Sequence, residues 1–194
     1  MQKIILATTS PYRKEAFAML GFDFETASSN VSESFENRPK NPEDLVRELA
    51  KRKAESVARN YSEGLVIGFD SVGYFENEIL EKPKDEEDAK KRLLKMSGKQ
   101  FEFHTGVCLI DIKNNKKCEN VVLTKVFMRE LSKTEIEKYL DQDRNFKTYA
   151  LGFDPLGHAS MSFIEKIEGS YNNLLRGIPM EKIVEMLKEA GVEI

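Results

Sequence analysis

The chain has 194 residues and a formal net charge of −3. Hydrophobic residues make up 40% and charged residues 32%, a balance typical of a folded globular protein rather than a disordered chain. The negative charge gives no overall attraction to nucleic acid or to an anionic membrane surface. No apolar run reaches the roughly 18 residues of a membrane span. We therefore expect no stable nucleic-acid binding, no membrane partner and a cytoplasmic location.

Cysteine and histidine are too scarce for a disulfide framework or a typical zinc site. The two cysteines, Cys108 and Cys118, lack CxxC spacing, so we expect reduced thiols. The two histidines, His104 and His158, exclude zinc sites of the finger or HExxH type. A metal ion bound here would be a hard cation with oxygen ligands, such as Mg²⁺.

A hydroxyl-rich turn near the start of the chain has the features of an anion site. Residues 3–7 predict a strand, and residues 12–20 predict a helix that follows a turn. Ser10 suits the N-cap, Pro11 suits the first helical position, and Arg13 lies in the first turn. The helix start, its hydroxyls and the guanidinium could bind an anion. An ordinary capped helix with a solvated Arg13 is supported equally.

A polar loop and a long helix follow the second predicted strand, at residues 22–27. Residues 28–40 predict irregular surface structure and include Glu33. Residues 41–59 predict a helix with a strong N-terminal cap. Lys53 falls near the middle of the apolar stripe of this helix, where a charge must find solvent or an anion. Two interpretations remain open: the side chain extends to solvent, or it reaches a site that suits a phosphate.

Residues 65–83 provide the strongest indication of chemistry from the pattern alone. An apolar run predicts a buried strand, and Asp70 is expected where this strand leaves the core. A carboxylate there can bind a metal ion or accept a proton from water. Lys82 and Pro83 follow a predicted hairpin whose turn lies at residues 76–77. The alternative is an exposed aspartate at a strand end and a solvated lysine.

The rest of the chain predicts two long strands in a hairpin, flanked by helices. The predicted segments are a helix at 85–97, strands at 101–112 and 117–129, a helix at 132–140, an irregular segment at 141–160, a strand at 161–167, a turn or loop at 169–173 and a helix after 177–179. The pair Thr105-Gly106 is expected to interrupt the first long strand. Alternating strands and helices predict an α/β sandwich with a mixed sheet, in which the hairpin could form a second lobe.

Six segments resemble, in order and at natural spacing, the motifs of the Maf family of nucleotide pyrophosphatases associated with septum formation. In the first half, residues 7–13 resemble SxSPRR, residues 49–54 resemble LAxxKA, and residues 67–72 resemble GADTV. Further on, residues 78–83 match GEILxKP, residues 94–107 resemble LSGRxHxVxTGV, and residues 167–179 resemble IxGSYxNVxGLP. The resemblance covers nearly the whole chain.

The resemblance implies an elongated mixed-sheet α/β/α sandwich with a central cleft, related to the inosine-triphosphate pyrophosphatases. It implies a single domain over residues 1–194, with two lobes flanking the cleft as a variant, and a homodimer as a frequent assembly. The implied activity is hydrolysis of an ordinary or modified nucleoside triphosphate to the monophosphate and pyrophosphate, with Mg²⁺ or Mn²⁺. A non-catalytic nucleotide-binding regulator of cell division is the alternative function.

The resemblance also implies roles for particular residues. Asp70 would accept a proton, and Glu33 would join it in placing the metal. The phosphates would be bound by Ser10, Arg13, Lys53 and Lys82.

Departures from the family pattern lie where base choice is decided. Tyr12 stands where one branch often has Arg, and Ser71 stands where the branches have Thr or Gln. The AGxYxIQG motif is not recognisable in residues 146–158. Tyr12 and Ser71 are therefore the expected specificity residues, and catalysis carries over from the family better than base preference does.

Overall fold

The computed structural model describes residues 2–194. The chain divides into two compact units, each assembled from separate segments. The first unit contains the chain up to Ser71 together with Thr105–Val122 and Arg176–Ile194, and the second contains Val72–His104 and Leu123–Leu175. Across the described residues, no helix is long and apolar enough to cross a membrane.

Residues 2–194 form seven strands and six α-helices. The strands are β1 (Ile4–Ala7), β2 (Phe24–Thr26), β3 (Leu65–Phe75), β4 (Glu78–Leu80), β5 (Gln100–Asp111), β6 (Lys116–Met128) and β7 (Ile164–Gly169). The helices are α1 (Pro11–Ala18), α2 (Pro42–Ala58), α3 (Glu86–Met96), α4 (Lys133–Gln142), α5 (Tyr171–Arg176) and α6 (Met180–Glu189). Short 3₁₀ helices cover Phe146–Thr148 and His158–Ser162.

The strands hydrogen-bond in the order β2-β1-β3-β5-β6-β7, and β4 pairs with β3. β1 is parallel to both β2 and β3. β4 is antiparallel to β3, and β7 is antiparallel to β6. The sheet is therefore mixed, which confirms the predicted α/β class.

The first unit places helices on both faces of its strands. Because side chains alternate along a strand, Ile4 and Leu6 of β1 join a cluster that includes Phe17 of α1 and Leu187 of α6. Ile5 and Ala7, on the opposite face of β1, join a second cluster. This cluster includes Ala50, Ala54 and Val57 of α2. This alternation makes three layers within the unit, with the strands in the middle.

Two glycines allow α2 to lie directly on the strands. A Cβ atom at Gly68 of β3 would lie 2.2 Å from the Ala50 carbonyl oxygen, and one at Gly106 of β5 would lie 2.1 Å from that of Val46. Real Cβ atoms essentially never approach backbone so closely, so both positions require glycine for this packing. The close approach brings the middle of α2 next to the residues that follow Gly68.

The second unit has its own apolar core, rich in aromatic side chains. Tyr139, Phe153 and Phe163 are almost fully buried and pack ring against ring. α4 begins with a capping box, in which Ser132 and Glu135 satisfy each other's backbone N–H groups.

Several sequence expectations are corrected here. β3 runs through Asp70 to Phe75, so Asp70 lies inside a strand, 6% exposed, and not at its end. Thr105 and Gly106 do not interrupt β5, because glycine in a strand can pair while admitting a close neighbour. The segment expected to be a turn or loop at residues 169–173 continues into α5, which begins at Tyr171. The last strand starts at Ile164 rather than 161, after a 3₁₀ helix.

Candidate functional site

Two consecutive residues of β3 lie at the centre of the candidate site. Asp70 shares its strand face with Gly68, the face on which α2 packs. Ser71 shares the opposite face with Phe69, which belongs to the cluster that includes α1. One strand thus presents a carboxylate to α2 and a hydroxyl to α1.

Lys53 of α2 binds two carboxylates at once. Its Nζ donates to Asp70 Oδ1 at 2.6 Å and to Glu33 Oε1 at 2.9 Å. The Lys53 and Asp70 side chains are 13% and 8% exposed, whereas Glu33 is 62% exposed. Lys53 lies on the buried stripe of α2, as its helical phase predicts, and it meets anions there. The structure therefore brings together three of the predicted site residues from three separate segments.

Burial raises the pKa of Asp70 above that of an ordinary aspartate, because the charged form loses its hydration. The charges of Lys53 and Arg13 oppose this shift, and the negative charge of Glu33 adds to it. Asp70 thus has the two properties of a general base, namely restricted solvation and a pKa moved toward neutrality.

The loop that carries Glu33 is fixed to the exposed side of α2. The Arg52 guanidinium stacks over the Phe35 ring at 3.7 Å from the ring centroid. One helical turn on, Ser56 Oγ donates to the Ser29 carbonyl at 2.5 Å. Because Glu33 lies between Ser29 and Phe35 in sequence, these two contacts restrict where its carboxylate can reach.

Arg13 is held by two hydrogen bonds on the α1 side. Its Nε donates to the Gly177 carbonyl at 2.8 Å, and its Nη2 donates to Ser71 Oγ at 2.8 Å. The guanidinium also lies over the Phe69 ring, 5.6 Å from the centroid. Burial lowers the pKa of Arg13, while Asp70 and Glu33 oppose that change. Of the two interpretations left open by the sequence, the solvated arginine is therefore wrong, since Arg13 is built into the unit.

The start of α1 matches the predicted anion-site features. Ser10 is the N-cap, and its Oγ accepts from the Arg13 backbone N–H at 3.5 Å. Pro11 occupies the first helical position, as predicted. Tyr12 lies beside Arg176, whose guanidinium is 5.7 Å from the centroid of the tyrosine ring.

Lys82 belongs to the second unit, in the segment after β4. Arg92 of α3 donates to the Glu81 carbonyl next to it and, at 3.5 Å, to the Ala150 carbonyl. Pro83 lies against Gly152, where an added Cβ would be 3.0 Å from the proline ring. Lys82 thus emerges from a segment that is fixed to α3 and to the loop containing Ala150.

The carboxylates of the first unit suit a hard divalent cation. Within the part of the chain that the structure describes, no group of three or more His, Cys, Asp or Glu side chains could hold a metal. Two carboxylates, from Glu33 and Asp70, converge on one cation, Lys53 Nζ. Mg²⁺ is commonly held by one or two carboxylates plus substrate phosphates and water, so these donors fit the implied metal.

Sequence reasoning missed two contributors, Thr105 and Gly177. Thr105 Oγ1 lies 2.7 Å from Ser71 Oγ, and Gly177 supplies the carbonyl that accepts from Arg13. Gly177 has φ +63°, and an added Cβ would lie 3.2 Å from Ser71 Oγ. The only signal in the sequence was that both residues fall within recognisable motifs.

Comparison with known proteins identifies the family to which the chain is similar. Residues 3–190 match the family described as Maf-like protein. A dTTP/UTP pyrophosphatase of Clostridium botulinum (strain Okra / Type B1) is 38% identical, with both chains covered completely. A 7-methyl-GTP pyrophosphatase of Colwellia psychrerythraea is 34% identical over all of this chain and 96% of its own. Since the match spans nearly the whole sequence, the chain belongs to the Maf-like protein family.

Proposed function

We propose that this protein is a nucleoside triphosphate pyrophosphatase, a hydrolase that acts on the acid anhydride of its substrate. The products would be the nucleoside monophosphate and pyrophosphate. The observation that carries the proposal is the buried Asp70 bound to Lys53 and close enough to Arg13 for their charges to interact. The curated relatives compared above are pyrophosphatases by name, which supports the same reaction class.

Asp70 is the proton acceptor in the proposed reaction. A water oxygen attacks the α-phosphorus, the bond from that phosphorus to the bridging oxygen breaks, and pyrophosphate leaves. The proton of the water passes to Asp70, whose raised pKa makes it a better acceptor than an ordinary aspartate. Charge increases on the phosphate oxygens as the bond breaks, so nearby cations lower the barrier.

Arg13, Lys53, the N-cap at Ser10 and Lys82 are the proposed phosphate ligands. Two of the five guanidinium N–H donors of Arg13 are used in bonds to Gly177 and Ser71, which leaves a fixed fork for phosphate oxygens. Lys53 would exchange one of its carboxylate partners for a phosphate when substrate binds. Lys82 comes from the second unit, and its role stays a prediction.

Mg²⁺ or Mn²⁺ is the proposed cofactor, with Glu33 and Asp70 as its protein ligands. Such an ion would neutralise phosphate charge in the reaction. Glu33 extends from a loop that is fixed to α2. Its carboxylate and that of Asp70 both accept a hydrogen bond from Lys53 Nζ, which keeps the two carboxylates near each other. A homodimer, which the resemblance implies, and a cytoplasmic location, which the sequence led us to expect, stay predictions.

Base preference is proposed to depend on Tyr12 and Ser71. The relatives compared above act, by name, on dTTP and UTP or on 7-methyl-GTP, and the chain is similar to both kinds. Tyr12 departs from the family pattern and presents an aromatic ring beside Arg176. A ring of this kind can stack on a nucleobase.

The direct test is release of pyrophosphate from a panel that contains dTTP, UTP, 7-methyl-GTP and the common nucleoside triphosphates, with Mg²⁺ and then Mn²⁺. We expect stoichiometric monophosphate and pyrophosphate from at least one substrate. Release of inorganic phosphate in place of pyrophosphate would contradict the proposed bond cleavage. Tight nucleotide binding in the presence of metal, without turnover of any substrate, would favour the non-catalytic regulator instead.

A further inference from the structure

Thr105 is a fully buried polar residue next to the site, and the proposed reaction gives it no role. It lies on β5 with 0% exposure, on the strand face of Val107, which belongs to the same cluster as Phe17 of α1. Its Oγ1 is 2.7 Å from Ser71 Oγ, an ordinary hydrogen-bond distance for two hydroxyls. A buried hydroxyl in a strand needs a hydrogen-bond partner, and Ser71 is that partner.

Proton accounting orients the Ser71 hydroxyl. Arg13 carries only donors, and its Nη2 donates to Ser71 Oγ at 2.8 Å. The single proton of the Ser71 hydroxyl must therefore point away from the guanidinium. Thr105 Oγ1 lies within reach of that proton and can accept it. Either hydroxyl of the Ser71–Thr105 pair can donate to the other, and in both cases Ser71 Oγ keeps a lone pair for Arg13. The hydrogen bonds therefore link Arg13, Ser71 and Thr105 in one chain.

This arrangement fixes the plane of the guanidinium from two sides. The Gly177 carbonyl holds Nε at 2.8 Å, while Ser71 holds Nη2. A planar fork that is held at two of its nitrogens presents its remaining N–H groups in one direction. If the Ser71 hydroxyl were free to rotate, its proton could turn toward Arg13, and the fork would lose one of its two anchors.

We propose that Thr105 is a positioning residue: through the Ser71 hydroxyl, it sets the guanidinium of Arg13 for the phosphates of the substrate. The inference rests on the proposed function, since it assigns Arg13 to phosphate binding. It also gives the Ser71 hydroxyl a task that is independent of the base. Loss of the Thr105 hydroxyl should therefore weaken the binding of every nucleotide to the same extent.

Two substitutions separate positioning from simple core filling. Thr105→Val keeps the branched shape and removes the hydroxyl, whereas Thr105→Ser keeps the hydroxyl and removes a methyl group. If Thr105 only fills the core, Thr105→Ser should be the more damaging change. If Thr105 orients Ser71, Thr105→Val should damage phosphate binding, and Thr105→Ser should preserve it while lowering the melting temperature by a few degrees.

The experiment measures calorimetric binding of inorganic tripolyphosphate with Mg²⁺, together with kcat and KM for two nucleotides of different base and the melting temperature. For Thr105→Val we expect about tenfold weaker tripolyphosphate binding and about tenfold lower kcat/KM for both nucleotides, in line with one lost charge-assisted hydrogen bond. For Thr105→Ser we expect both quantities to stay within about twofold of the parent.

Three outcomes would overturn the proposal. If the Thr105→Val variant binds tripolyphosphate and hydrolyses nucleotides as well as an active parent does, the Thr105 hydroxyl is not needed. Loss of binding in both variants, in step with their melting temperatures, assigns Thr105 to stability alone. If the parent protein neither binds tripolyphosphate nor hydrolyses any nucleotide, the proposed function fails and this inference fails with it. The behaviour of the parent therefore distinguishes failure of the proposed function from failure of this inference alone.

Discussion

Lys53 donates a 2.6 Å hydrogen bond to Asp70 from the buried face of a helix, and the same ammonium also holds Glu33. A lysine this poorly exposed needs an anion, and a carboxylate this buried needs a cation, so each residue stabilises the charge of the other. The pair exists because two strand glycines let α2 approach its sheet at van der Waals distance.

The first prediction concerns Asp70→Asn, which removes the proton acceptor at nearly constant volume. We expect pyrophosphate release to fall about 10²- to 10⁴-fold, the usual contribution of a general base, while tripolyphosphate binding is retained. In the parent, kcat/KM should rise with pH through a pKa above the ordinary aspartate range, because burial raises the pKa of Asp70.

Asp111→Asn is the matched control for that change. Asp111 is equally buried, at 3% exposed, and its carboxylate accepts hydrogen bonds from Asn114 in the β5–β6 turn. Turnover of this variant should stay close to that of the parent. An Asp70→Asn enzyme as fast as the parent would remove Asp70 from the mechanism.

The second prediction concerns Lys53→Met, which keeps an unbranched side chain and removes the charge. Its loss leaves Asp70 and Glu33 without their shared cation, so the pKa of Asp70 should rise further and the acid limb of kcat/KM should move to higher pH. We expect KM to increase about tenfold or more. Lys51→Met, at a surface ion pair with Glu48, serves as the control. It should change neither KM nor the pH of the acid limb of kcat/KM.

The third prediction concerns Gly68→Ala. The new methyl group would meet the Ala50 carbonyl at 2.2 Å, and backbone has little freedom to yield, so we expect a loss of about 3 kcal/mol or more of unfolding free energy. Gly21→Ala is the comparison: nothing lies within 4 Å of its Cβ position, and φ +76° alone should cost about 1–2 kcal/mol. Urea titrations compare the two, and equal losses would contradict close packing of α2 on β3.

The fourth prediction concerns Phe35→Ala, which removes the ring under the Arg52 guanidinium. We expect the loop carrying Glu33 to become less ordered and KM for the metal–nucleotide complex to increase a few-fold, the size of one partly exposed cation–π contact. Phe35→Tyr keeps the ring and should behave like the parent. Metal titrations of activity provide the measurement, and an unchanged metal requirement in Phe35→Ala would count against an anchoring role.

The fifth prediction concerns the pH dependence of stability at Glu135. Hydrogen bonds from Arg129, then from Ser132, lower the pKa of Glu135 to about 2 from an ordinary value of 4.5. A depressed acidic pKa adds stability that is present above pH 4.5 and is lost as pH falls through about 2. The melting-temperature gap between parent and Glu135→Gln should therefore narrow across that interval. A constant gap would mean that the charge of Glu135 contributes nothing.

Local patterns in the sequence account for features of both units. The caps at Ser10 and Asn41 and the turn at Glu76 and Asn77, both with positive φ, are local features and were predicted correctly. The position of Lys53 in the helical repeat likewise predicted that it lies on the buried face of α2. Such features depend on neighbours a few residues away, which the sequence displays directly.

The partners themselves were decided by tertiary structure. Arg13 and Gly177 are separated by 164 residues, and Ser71 and Thr105 by 34, so no local spacing relates them. They meet because β3 continues through Asp70, whereas the sequence suggested that it ended there, and because β5 lies beside it in the sheet. Residue type and periodicity fix which face of an element a side chain occupies, but only the packing of distant segments decides what it meets there.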